Sequence, residues 1–181
     1  MIRLMLNRRS IRKYKRQSVE KDKVDRILTA GLLAPSSRNR KPWEFIVIDD
    51  PGDLFDLSQA KAQGSSFVKD APVAIIVIAD KEKSDVCVED ASIAATYMQL
   101  EGERLDLGSC WVQIRGRETQ GGKTSEGYIR KMFAIPEHYL IEAIITFGYK
   151  GEGKEPHNLE EVESAKVHFH KYGIEYPGKF G

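Results

Sequence analysis

Arg8, Arg9, Ser10 and Arg12 stand together near the start of the chain. A guanidinium donates in a bidentate fork that matches phosphate, and a serine hydroxyl adds a shorter bond, so this spacing suits a clamp for a phosphorylated ligand. If Ser10 to Tyr14 is extended, Ser10 and Arg12 share a face. A solvated basic arm has the same composition, because Arg3, Arg8, Arg9, Arg12, Lys13, Lys15 and Arg16 all precede the first acidic residue, Glu20. The second stretch runs from Ala34 to Phe45, where Ser36, Ser37 and Asn39 offer donors and acceptors in a loop pinned by Pro35 and Pro42. A ligand-binding loop and an ordinary helix-to-strand connection both fit it. The third, Leu107 to Gly116, ends on a glycine that permits close approach of backbone N–H groups to a ligand, although a plain turn also explains it.

The elements that must position these stretches follow from periodicity. Met1 to Asn7 reads as a short helix with Ile2, Leu4, Met5 and Leu6 as anchors. A second helix, capped by Ser18 and starting near Glu20, carries Val24, Ile27, Leu28 and Leu32 at helical spacing and stops at Pro35. Glu44 to Ile48 is a strand, Asp49 to Gly52 a turn, and Leu54, Leu57 and Ala60 mark a third helix. Pro72 to Ala79, apolar throughout, reads as a central strand buried on both faces.

Val86 to Leu107 carries the longest helical pattern, with two apolar seams. Val88, Ala91, Ala95, Met98, Gly102 and Leu105 form one; Ile93, Tyr97, Leu100 and Leu107 form the other. The small residues of the first admit a second helix, from this subunit or another. Gly108 ends this helix, and a strand follows as far as Gly116. Ser125 caps a short helix carrying Ile129, Met132 and Phe133, and Glu142 to Tyr149 is the last core strand. Beyond Gly151 the chain is charged and loosely patterned.

With 181 residues, 41% of them hydrophobic, the chain suffices for one sizeable core, read as one domain over 1–181. Lys and Arg (28) nearly balance Asp and Glu (27), which argues against a dedicated nucleic-acid binder. The longest apolar run, Ala71 to Ala79, falls far short of the roughly 20 residues of a membrane span. The basic start runs straight into the folded pattern, unlike a transit peptide, and no secretory signal is read. Cys87 and Cys110 lack short-spaced partners, which suits a reducing, cytoplasmic location. His168 and His170 would share a face if extended, but two histidines without a nearby carboxylate or cysteine make a poor metal site, and none is expected.

Taken together, Arg8-Arg9-Ser10-Ile11-Arg12, Pro35-Ser36-Ser37-Arg38-Asn39 running into Pro42-Trp43, Leu107-Gly108-Ser109-Cys110-Trp111 and Phe147-Gly148-Tyr149 resemble the nitroreductase family of FMN-dependent oxidoreductases, in order and spacing along nearly the whole chain. The resemblance implies an α+β fold with a central, mostly antiparallel sheet covered by helices. It also implies an intertwined homodimer with FMN at two interface sites, residues 151–181 being an extension that lies on the partner subunit. Arg8 and Ser10 would hold the FMN phosphate with help from Arg9, and Arg12 would sit at the pyrimidine side of the ring. There a cation stabilises the charge that arrives with reduction.

By the same resemblance Pro35, Ser36, Ser37 and Asn39 come from the other subunit. Gln113, Ile114, Arg115 and Gly116 present backbone to the flavin edge that accepts hydride, and Lys154, with His157 as a further candidate, adds to the phosphate site. Lys41 stands where the family often has glutamine, as a second cation at the flavin or a solvated side chain. Glu101 and Glu103 replace small or apolar residues, and if buried both need partners.

The activity implied is an NAD(P)H oxidoreductase working in two half-reactions, from NADH or NADPH through flavin N5 to a nitroaromatic, quinone or similar small-molecule acceptor. That mechanism explains the lack of a Ser/His/Asp or Cys/His set and of G-x-G-x-x-G. The alternative readings are a reductive dehalogenase or an oxygen-using flavin-fragmenting enzyme of the same fold, or a non-catalytic flavin-binding protein. A DNA-binding role for the basic arm would show as strongly salt-dependent association.

Overall fold

A computed structural model describes residues 1–178. Four strands, β1 (Trp43–Ile48), β2 (Val73–Asp80), β3 (Leu107–Gln113) and β4 (Tyr139–Tyr149), form one sheet in the order β1-β2-β4-β3, with every pairing antiparallel. All eight residues of β2 are buried. Because strand side chains alternate, Val73, Ile75, Val77 and Ala79 face one core with α2 (Lys21–Leu32) and α4 (Cys87–Arg104). Ala74, Ile76 and Ile78 face a second core with α3 (Pro51–Ser58) and α5 (Ser125–Met132). Fully burying one such isoleucine contributes about 1.5–3 kcal/mol, so this strand ties both helical layers to the sheet.

α1 (Ile2–Asn7) fully buries none of its residues: Leu4 and Leu6 are half-buried where the helix meets α4, and Ile2 and Met5 are exposed. Glu20, not Ser18, is the N-cap of α2. α3 starts on Asp50, whose carboxylate accepts from the N–H groups of Gly52 and Asp53. Thr124, not Ser125, caps α5 by accepting from Gly127, while the Ser125 hydroxyl is buried with no hydrogen-bond partner among the described residues.

α4 ends at Arg104, earlier than its apolar pattern, because Asp106 turns the chain at φ 62°. Leu107 and Gly108 therefore open β3 instead of closing the helix. The small-residue seam is filled from within the chain, with Gly102 against the Phe147 ring and Met98 against Gly31 of α2. On the other seam Ile93 (38%) and Tyr97 (43%) remain exposed. Glu101 pairs with Arg26 and Arg104, and buried Glu103 receives Lys150 at 2.7 Å, so both carboxylates have the partners they require.

β4 begins three residues before the expected Glu142, and Glu142 is the extra residue of a bulge: Val77 pairs with Ala143, and Ile78 with Ile141. The chain after β4 has more order than its composition suggests. Residues 151–157 run back along their own N-terminal arm, where Gly151 N–H donates to Lys13 O and His157 N–H to Leu6 O. A capping box joins Asn158 and Glu161, and residues 159–178 are exposed. His170, at φ 60°, breaks the extended run that would have put it on one face with His168. No helix among the described residues is long and apolar enough to cross a membrane.

Candidate functional site

The N-terminal arm is laid on the sheet by a pair of glycines. Gly108 and Gly148 face each other across β3 and β4. A Cβ on Gly108 would meet three Ile11 side-chain atoms at 2.8 Å, and one on Gly148 would meet Pro72 at 2.6 Å and Tyr14 at 2.8 Å. Bare backbone here lets Ile11 sink to full burial, with its N–H donating to Ser109 O at 2.9 Å and Ser10 bridging Ser109 in parallel. Tyr14 fixes the far end, its hydroxyl donating to Ile11 O and sharing a 2.7 Å bond with Thr146. Burial holds that phenol well above its usual pKa.

With Ile11 facing inward, the arm that carries Arg8, Ser10 and Arg12 runs beside β3, joined to it at Ser109. Burial pushes the Cys110 thiol up, against the opposing charge of Arg12, a bond from Ser10 and the charge of Arg8. The Arg12 guanidinium lies 5.8 Å from the centre of the Phe67 ring. Its backbone N–H is taken at 2.7 Å by Glu152, whose carboxyl is held below the usual range by that bond first and then by Lys154 and Lys13.

Arg12, Lys13, Ser66, Phe67, Lys69, Glu152 and Lys154 line one cleft of about 580 Å³. Lys154 stands 3.6 Å from Glu152. Arg9 turns away and donates to the Glu155 carbonyl, and the His157 ring meets Glu161. A larger groove of about 750 Å³ between α2 and the β1 edge includes none of the predicted site residues.

The loop Pro35 to Lys41 folds as a tight turn, Ser37–Asn39, with Arg38, Asn39 and Lys41 all at positive φ. Two bonds hold it: Lys41 N–H donates to Ser36 Oγ at 2.9 Å, and Ser37 N–H to the buried carboxylate of Asp90 at 2.8 Å. The Lys41 side chain is exposed. This loop does not meet the arm in the same chain. Ser109, beside Ser10, registers with Phe147, whereas Asp80, whose N–H donates to Pro42 O, registers with Tyr139. Seven steps of β2, from Val73 to Asp80, separate those levels, about 23 Å at strand rise.

Gln113 to Gly116 lies at the end of β3, about 13 Å along the strand from Ser109. Ile114 is buried, Arg115 and Gly116 are exposed, and Gly116 has φ 67°. Gln113 accepts from the Trp111 indole at 2.9 Å and donates to Arg115 O at 3.1 Å. The structure thus brings Arg8, Ser10, Arg12 and Lys154 to one end of β3 and residues 113–116 to the other, leaving Arg9 turned aside and the Pro35 loop remote.

Sequence reasoning missed Phe67, Ser66, Lys69 and Glu152 in the cleft, and Asp90 and Glu142 behind the loop and the β3 end. Only Glu142 left a local signal, a carboxylate inside an otherwise apolar strand.

A family model described as the nitroreductase family matches residues 5–63 and 53–149. An FMN-dependent nitroreductase from Clostridium difficile R20291 superposes with a TM-score of 0.93 at 50% identity, covering 95% of this chain and 100% of that one. A candidate NADH dehydrogenase/NAD(P)H nitroreductase of Methanothermobacter thermautotrophicus is 35% identical over 91% of this chain and 84% of its own length. The structure of a candidate nitroreductase in complex with FMN, from Desulfovibrio desulfuricans, superposes with a TM-score of 0.69 at 28% identity, covering 89% of this chain and 93% of that one. The matched residues take in the arm, the loop and all four strands, and on that breadth of likeness this chain belongs to the nitroreductase family.

Proposed function

We propose that the chain is an FMN-dependent NAD(P)H oxidoreductase of nitroreductase type, acting as a homodimer on a small-molecule acceptor such as a nitroaromatic or a quinone. The observation that carries this reading is the arm bearing Arg8, Ser10 and Arg12 seated on β3 at Ser109, with Arg12 lining a cleft that also takes in Phe67, Lys69 and Lys154. That donor set fits FMN: guanidinium, hydroxyl and ammonium groups for a phosphate, and an aromatic wall for a flat ring. Bound FMN supplies the hydride acceptor and donor. The protein supplies position and charge, with Arg8 and Ser10 on the phosphate, Arg9 beside them, Arg12 at the pyrimidine edge and Lys154 closing the phosphate side.

Backbone of Gln113, Ile114, Arg115 and Gly116 lines the reactive edge. Pro35, Ser36, Ser37, Asn39 and Lys41 belong to the same site through a second copy, since Pro42, at the end of their loop, lies about 23 Å along the sheet from the arm of their own chain. The domain reading is one unit over 1–181. Residues 151–157 serve their own arm, so the part that lies on the partner narrows to the exposed stretch 159–178.

The test is an absorbance spectrum of the purified protein reconstituted with FMN, before and after anaerobic NADH or NADPH. Bleaching of the flavin band is expected with at least one of them. Arg8→Ala and Ser10→Ala should each weaken FMN retention about tenfold or more, because charge-assisted phosphate bonds contribute roughly 1.5–3 kcal/mol. Full FMN affinity in both variants would remove the arm from the site.

A further inference from the structure

Arg115 is held in a way that a simple surface arginine is not. The bulge at Glu142 turns that residue toward the end of β3, where its carbonyl accepts from Ile114 N–H at 3.2 Å and Arg115 N–H at 3.1 Å. Its carboxylate, 3% exposed, takes the Arg115 Nε at 2.7 Å. Gln113, steadied by Trp111, reaches the Arg115 carbonyl and the same carboxylate. Backbone, side chain and neighbour are all fixed, yet the arginine side chain stays 46% exposed, and none of its hydrogen bonds among the described residues engages the outer Nη nitrogens. A buried carboxylate consumes one N–H of the guanidinium and leaves a rigid outward fork beside Gly116, where the backbone opens to space.

Resting on the flavin reading above, which places residues 113–116 at the reactive edge, we infer that Arg115, oriented by Glu142, recognises an anionic group on the reactant that docks there. That group is the carboxylate of an acceptor or a phosphate of the nicotinamide dinucleotide. Arg115 is then a specificity determinant and Glu142 a positioning residue. A fork already fixed loses little side-chain freedom on binding a planar oxyanion, and it discriminates against an uncharged isostere that leaves it unpaired.

The experiment uses the FMN-reconstituted dimer with 4-nitrobenzoate and 4-nitrobenzamide as acceptors and NADH and NADPH as donors. Each turnover oxidises one NAD(P)H and, with one proton, converts the nitro group to nitroso and water. Recognition of an acceptor predicts a kcat/KM about tenfold higher for the benzoate, a ratio that Arg115→Gln brings to near one and Glu142→Gln reduces in part. Recognition of the dinucleotide predicts instead a KM for NADH or NADPH raised about tenfold in Arg115→Gln, equally with both acceptors. Since Arg115→Gln leaves Glu142 unpaired, the double variant Arg115→Gln/Glu142→Gln is measured beside it. Perturbation of the bound-flavin spectrum by benzoate against benzamide gives the affinities without turnover. Retained FMN with no change in either the acceptor ratio or the dinucleotide KM overturns the inference alone, and shows that Arg115 only neutralises Glu142. Failure to bind FMN at all overturns the flavin reading and this inference with it.

Discussion

The carboxylate of Asp90, buried in the first turn of α4, accepts from the backbone N–H of Ser37 at 2.8 Å. Its other oxygen takes the Ser84 hydroxyl at 3.0 Å. The turn Ser37–Asn39 is therefore fastened to a long helix and not merely strung between two prolines. Asp90→Ala strands both donors and should lower stability by about 2 kcal/mol in chemical denaturation. Asp90→Asn, which can still accept from Ser37 and donate to Ser84, should recover most of that loss. Equal destabilisation by the two substitutions would mean that burial of charge, not loop anchorage, is what Asp90 provides.

Gly108→Ala tests how the arm is seated. The added methyl group meets Ile11 on three atoms at 2.8 Å, so Ile11 must lift and Ser10 move with it. A loss of about 1–3 kcal/mol in unfolding free energy is expected, together with weaker FMN retention. Normal retention in a destabilised variant would separate the packing of the arm from ligand binding.

Ile93 and Tyr97 of α4, with Ile2 and Met5 of α1, leave apolar surface uncovered in a single chain. Light scattering at micromolar concentration should give twice the 20.5 kDa chain mass. Tyr97→Glu should shift the population toward monomer and lower FMN retention with it. A monomeric wild type would end the two-subunit site.

Glu101 accepts from Arg104 through both oxygens at 2.6 Å and lies 3.4 Å from Arg26. The Arg104 bonds hold its carboxyl below the usual carboxylate value, with Arg26 adding to the effect. A carboxyl with a lowered folded-state pKa binds protons less readily when folded. Its contribution is thus complete above the unfolded value and disappears as pH falls through the folded one. Glu101→Gln should cost about 0.5–1 kcal/mol at pH 7, discounted because Arg104 is half exposed. That cost should shrink as pH falls from 7 through the folded-state pKa of Glu101. Urea melts of both proteins across that range provide the check, and a pH-independent difference would assign the loss to packing.

The central strand and its helical cover were legible because an unbroken apolar run of β2 length has few other uses. The clamp and the loop were legible as groups of donors. Their distance from each other was not, since it depends on the register of β4. The end of α4 was misread because apolar periodicity carries on through Leu105 and Leu107 across a turn that only the backbone of Asp106 reveals. Thr124 and Ser125 are adjacent hydroxyls, and the order of capping and burial between them is a tertiary matter. Asp90 and Glu142 act on partners 53 and 27 residues away, so no local pattern told what they hold, although Glu142 stood out as a carboxylate in an apolar strand.

If the loop of a second copy completes the site as proposed, the separation of the Ser10 arm from the Ser36 loop along one sheet has a genetic consequence. Suppose one chain carries Arg8→Ala and another carries damage confined to the loop, and neither homodimer works. Mixed dimers would collect both lesions in one site and leave the other whole, so random exchange restores about a quarter of the sites. Two dead alleles in one cell would then complement each other, an outcome that a site built within a single chain forbids.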